Sequence, residues 1–265
     1  MLVSNNAFSS QSMDFLLSFN RCGTHYFCYL IATLTERPLK APDGRAMFPH
    51  AGLSFQPNKK PFYHTHVPET IKTSNKINRL IVLVRDPAEI FIRSFGYENA
   101  IKLLRILAYN DPYDPQEQII YPTAPYHKGK PIDWALASIR QFKTTFETYE
   151  NFKNPKMLIW YEDLIMHPGQ LLPQILDFLH EDHVRLNYVL NNLEHLQEQC
   201  RKAYVEQFTG VDPKLSSKSD RKTTNYHQRQ ASEEEVEELR KVIRDFLGPQ
   251  LSKYVNYGKK KSALS

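Results

Sequence analysis

Apolar residues along this chain follow two rhythms that alternate. Short, mostly apolar runs at 15–19 (FLLSF), 80–84 (LIVLV) and 156–161 (KMLIWY) have the length of single strands and are rich in branched or aromatic side chains. Each predicts a strand buried on both faces of a sheet. Elsewhere the apolar spacing changes to three and four. An amphipathic helix is expected from the turn at Gly23 to Leu34, and Pro87 opens another that runs to about Leu104. Trp134, Leu136, Ile139, Phe142, Phe146 and Tyr149 place a helix over 132–152, with further helices at about 168–179 and 184–204. A polar stretch at 207–230 precedes the last helix. Ser232 and Glu235 announce that helix as a capping box, Val236, Leu239, Ile243 and Phe246 form its apolar face, and Gly248-Pro249 stops it.

Strands alternating with helices predict an α/β fold: three layers, with a central, mostly parallel sheet flanked by helices. Ligands of such sheets bind beyond the carboxyl ends of the strands. The 265 residues can bury one core. The expectation is a single domain over 1–265, with a core at about 14–250, irregular inserts at 41–60 and 109–131, and a flexible tail at 258–265. The 109–131 tract is rich in Pro, Tyr and Asp without a period, and reads as a substrate lid.

Composition narrows the partners. A formal charge of +5 favours an anionic ligand modestly and is too small to argue for nucleic acid. Three cysteines, Cys22, Cys28 and Cys200, have no framework spacing, so a reducing compartment without structural disulfides is expected. The first residues lack a basic stretch followed by an apolar core, and no window approaches the roughly 18 apolar residues of a membrane span. A cytoplasmic protein with no membrane span is therefore expected; its oligomeric state is unreadable.

Candidate chemistry follows each predicted strand. After the first comes a tight turn carrying Arg21 and Gly23, then a helix. Free N–H groups of a first helical turn, the helix dipole, the Thr24 hydroxyl and the Arg21 fork make this loop an anion cradle. It is not the common triphosphate loop, because GxxxxGK[ST] is absent. His64-Thr65-His66-Val67-Pro68, Arg85-Asp86-Pro87 and Tyr161-Glu162-Asp163-Leu164 complete the set.

In this order, SFNRCGTH, HTHVP, LVRDPAEIFIRS and WYEDL resemble the soluble sulfotransferases that use 3′-phosphoadenosine-5′-phosphosulfate (PAPS). The resemblance implies a P-loop-NTPase-like sulfotransferase fold, PAPS as sulfate donor and no metal. It makes Arg21, Cys22, Gly23, Thr24 and His25 the segment that holds the 5′-phosphosulfate. The family usually has Lys then Ser where this chain has Arg21 and Cys22. Arg21 would stabilise the leaving group, and Cys22 could make activity sensitive to oxidation. His66 matches the general base; His64, two residues away, would share its face on a strand. Arg85 matches a 3′-phosphate ligand, an ion pair with Asp86 or Asp163 being its other reading. The family's partner Ser lies eight positions after that Arg. Here Arg93 stands eighth and Ser94 ninth, so either Ser94 still binds or Arg93 replaces the hydroxyl. Tyr161 matches a residue near the adenine, with the acidic pair after it structural. Arg221-Lys222-Thr223 resembles a late segment that closes on the 3′-phosphate.

The reaction implied is sulfuryl transfer to a hydroxyl or amine of a small-molecule or carbohydrate acceptor that the sequence does not identify. A nucleotide kinase-like enzyme is disfavoured by the missing triphosphate loop. A metal module of Cys22, His25, Cys28, His64 and His66 is disfavoured by positions 22 and 28 pointing apart. A family member that binds the nucleotide without catalysis is a further alternative.

Overall fold

The computed structural model describes residues 13–47, 55–56, 58–112, 130–208 and 231–255. Arg221, Lys222, Thr223, residues 113–129 of the expected lid and the 258–265 tail lie outside the described residues.

Five strands, β1 (Met13–Ser18), β2 (Leu39–Lys40), β3 (Phe62–Thr65), β4 (Ile77–Val84) and β5 (Lys156–Trp160), form one sheet. Their order is β2-β3-β1-β4-β5, and every neighbouring pair is parallel. Leu80 through Val84 are all 0 % exposed, which requires cover on both faces of the sheet. Helix α1 (Thr24–Thr35) carries the chain from β1 toward β2 and β3. From β3 the chain crosses back over β1 to β4 through α2 (Pro68–Thr73), and continues outward to β5 through α3 (Pro87–Phe95), α4 (Tyr97–Tyr109) and α5 (Pro131–Asn151). Right-handed crossovers in opposite directions put α1 on one face and α2 to α5 on the other. The remaining helices among the described residues are α6 (Tyr161–Met166), α7 (Pro168–Leu179), α8 (Leu186–Asn191), α9 (Leu193–Phe208) and α10 (Glu233–Leu247). They complete the two layers: α1 packs with α8 and α9, and α10 packs on α3 and α4. The chain reverses its direction of travel around β1, and in open parallel sheets ligands bind at such a reversal, here beyond the carboxyl ends of β3, β1 and β4.

Several expected elements differ in detail. The helix expected over 87–104 is two helices, because Gly96 at φ 74° turns the chain between α3 and α4. The 184–204 helix is likewise divided at Asn192 into α8 and α9. The first strand begins at Met13 rather than Phe15, since Asp14 is an interior residue that pairs with Arg37 at 2.9 Å. β2, β3 and α2 were not expected: β2 is two residues long, and β3 carries His64 and Thr65 among its buried positions. The capping box of α10 is formed, with Ser232 Oγ accepting from Glu235 N at 3.2 Å and Glu235 accepting from Ser232 N at 2.6 Å.

Candidate active site

The first loop is shaped by two residues in the left-handed region, Arg21 at φ 67° and Gly23 at φ 83°. They fold the chain back so that α1 starts with neither a side-chain cap nor an acidic residue in its first turn. The positive end of the helix and its free N–H groups therefore face the loop. Gly23 has a second reason to lack a side chain: a Cβ there would lie 2.1 Å from Cε2 of Tyr161. The Tyr161 ring, projecting from the end of β5, is thus laid against the loop, and the Arg85 guanidinium stands over that ring at 4.9 Å. Cations over aromatic faces at this range are attracted by the ring quadrupole.

Cys22 turns inward. Its thiol donates to Phe19 O at 2.7 Å and reaches Leu83 O at 3.4 Å, and burial pushes it up to about 12. A thiol so buried and so firmly protonated is a poor target for oxidation, which corrects the expected redox sensitivity. Its side chain braces the loop from below. Thr24 also points inward, donating to Ser18 Oγ at 3.0 Å.

At the end of β3, His64 is buried and His66 half-buried, with their rings edge to face at 4.5 Å. Both meet Ser18 at the end of β1: His64 Nε2 is 2.7 Å and His66 Nδ1 3.0 Å from its hydroxyl. Desolvation holds both imidazoles below their usual range, His64 well below. His25, in the first turn of α1, is lowered to about 4 by burial and by the charge His66 would carry. Burial thus favours the uncharged form of all three histidines beside the loop.

The end of β4 supplies positive charge. Arg85 is 4 % exposed, lies 3.5 Å from Glu89 and 3.9 Å from Glu162, and its Nε has no hydrogen-bond partner. Asp86, one of its two expected partners, accepts from Ala88 N and from Arg240. Glu162 accepts from Asp86 N at 3.1 Å, tying the start of α3 to the start of α6. Of the pair at the eighth and ninth positions, Ser94 donates its hydroxyl back to Ile90 O at 2.8 Å, into its own helix. Arg93 is held down to about 10, by burial first and then by the nearby charge of Arg85, with Arg21 adding to the repulsion. The charges of Arg85 and Arg21 thus both act on Arg93.

Contacts link these groups into one place: His66 to Ser18 on β1, Tyr161 to Gly23, and Arg85 to Tyr161. Arg221 and Lys222 lie outside the described residues. Ser18 and Glu89 carried no signal in the sequence, because each is a common residue inside an otherwise regular strand or helix pattern. Among the described residues no three His, Cys, Asp or Glu side chains are arranged to hold a metal ion. Among the same residues no helix is long and apolar enough to cross a membrane.

No protein-family model and no curated protein matches the chain. Among solved structures it is similar to mouse sulfotransferase SULT7A1 complexed with PAP, at 15 % identity and a TM-score of 0.46, over 96 % of this chain and 90 % of that one. It is also similar to the sulfotransferase domain from the curacin biosynthetic pathway, at 15 % identity and a TM-score of 0.42, over 65 % of this chain and 75 % of that one. A likeness this distant leaves the chemistry to be argued from the site itself.

Proposed function

We propose that this chain is a sulfotransferase that moves the sulfuryl group of PAPS to a hydroxyl or amine of a small-molecule or carbohydrate acceptor. The observation that carries the reading is that His66, an imidazole kept below its usual range and bonded to Ser18 at the end of β1, and the arginines that follow β1 and β4 stand at the carboxyl edge of one parallel sheet. Guanidinium groups that repel one another, one with a buried Nε lacking a partner, suit a ligand carrying several negative charges. The resemblance in the first loop, HTHVP, RDP and WYEDL independently names the same ligand.

PAPS, when bound, supplies an activated sulfuryl group with adenosine 3′,5′-bisphosphate as leaving group. The N–H groups at Cys22, Gly23, Thr24 and His25, with Arg21, would hold its 5′ side. Arg85 and Arg93 would hold the 3′-phosphate, Arg93 taking the role expected of Ser94, and Tyr161 would form a wall for the adenine. His66 is the general base. It is uncharged at neutral pH, so it can take the acceptor's proton as the acceptor attacks. Arg21 stays charged and therefore stabilises the departing bisphosphate without donating a proton.

Calorimetric titration with adenosine 3′,5′-bisphosphate, paired with transfer of label from PAPS to a panel of alcohols, phenols, amines and sugars, tests this. Saturable binding is expected, and His66→Ala should bind as the wild type does while losing about 100-fold or more of the transfer rate. No binding would overturn the reading. Binding without transfer by the wild type would reduce the chain to a nucleotide-binding protein.

A further inference from the structure

Ser18 closes β1 and is 0 % exposed, yet its two oxygens serve three polar side chains. Its hydroxyl lies 2.7 Å from His64 Nε2 and 3.0 Å from His66 Nδ1, and accepts from the Thr24 hydroxyl at 3.0 Å. Its main-chain carbonyl lies 2.9 Å from His66 Nδ1. These distances determine where the protons are. A carbonyl oxygen can only accept, so Nδ1 of His66 carries the hydrogen. A neutral imidazole has one such hydrogen, so the lone pair of His66 is on Nε2. The Ser18 hydroxyl already receives Thr24 and shares the His66 N–H. Its own proton therefore goes to the remaining neighbour, His64 Nε2, which must accept. His64 then carries its hydrogen on Nδ1, and its lone pair is spent on Ser18.

We propose that Ser18 is a positioning residue which decides between the two histidines. Its carbonyl aims a free Nε2 lone pair from His66, and its hydroxyl consumes the Nε2 lone pair of His64, so that only His66 can accept a proton. The proposal rests on the reading of His66 as general base, and it removes the ambiguity between two histidines that sit two residues apart. His64 is left with only an N–H to offer.

The test reads tautomers directly. Long-range proton–nitrogen correlation spectra of the nitrogen-15-labelled full chain at neutral pH should show both rings protonated on Nδ1, the reverse of the form that predominates for histidine in water. His64→Gln and His66→Gln identify the two sets of signals by their loss. Ser18→Ala deletes the hydroxyl and keeps the carbonyl. His64 should revert to the Nε2–H form in that variant while His66 keeps Nδ1–H. With one anchor of His66 gone, kcat should fall about tenfold at unchanged KM for PAPS, since small misplacements of a catalytic group are costly. Ser18→Thr should restore both the tautomer and the rate. Either wild-type ring protonated on Nε2, or a Ser18→Ala variant with unaltered His64 tautomer and kcat, would overturn the proposal. A wild type that shows these tautomers but transfers nothing refutes the base reading and leaves the hydrogen-bond assignment standing. A wild type that transfers while His64 carries its proton on Nε2 does the opposite.

Discussion

Glu89 shows how the candidate site couples to pH through a single side chain. It stands 3.5 Å from Arg85, and burial raises its carboxyl from 4.5 to about 7. A raised acid binds its proton more tightly in the folded state. Its contribution to stability is thus complete below pH 4.5 and is lost as pH rises through about 7. The lowered histidines work in the opposite sense. The contribution of His25 is complete above 6.5 and is lost as pH falls toward about 4. Comparing Glu89→Gln with the wild type isolates the carboxyl: the variant should gain thermal stability relative to the wild type steadily between pH 4.5 and 7. A difference in melting temperature that does not change with pH would rule this out. At this scale the sequence exposes residue types suited to chemistry, such as Arg21, His66 and Arg85. It hides residues whose importance lies in a partner far along the chain. Ser18 sits in the run FLLSF like any strand serine, and its histidines come 46 and 48 positions later.

Among elements, the start of α3 is where the layers are joined. Asp86 caps α3 by accepting from Ala88 N at 3.0 Å, accepts from Arg240 Nε of α10 at 2.8 Å, and donates its own N–H to Glu162 at 3.1 Å. Asp86→Ala should cost about 2 kcal/mol, the cap and the charge pair being lost together. Asp86→Asn should recover part of that through the cap alone. Urea unfolding would check this, with the midpoint shifting at constant slope; equal midpoints for Ala and Asn would show that the cap contributes nothing. The sequence announces this helix by its proline and apolar spacing. The break at Gly96 is invisible there, because the apolar rhythm runs on through it into α4. β3 is hidden for the opposite reason. A strand of four residues with two polar side chains has too little pattern to stand out, and only its pairing with β1 and β2 makes it a strand.

Across the whole molecule the sheet has two unlike ends. The carboxyl end carries arginines and histidines beside the loop that follows β1. The amino end is tied by Asp14, 2 % exposed, which pairs with Arg37 at 2.9 Å, Arg79 at 3.4 Å and Lys60 at 3.5 Å. Asp14→Ala leaves the buried Arg37 only the Glu181 carboxylate at 3.5 Å and the carbonyls of Lys60 and Pro61, and should cost about 3 kcal/mol of stability. Because the cluster is at the far end of β1, the folded fraction should bind adenosine 3′,5′-bisphosphate with wild-type affinity. A proportionate loss of affinity would show that the two ends are coupled. The sequence alone determined the alternation of strands and helices, and with it a parallel sheet, because apolar periodicity is a local property. Strand order, the broken helices, the buried Arg37–Asp14 pair and the hydrogen-bond partners of Ser18 were decided only by tertiary structure. Each depends on groups distant in sequence that are brought together only when the chain folds, where leaving a buried polar atom without a partner is costly.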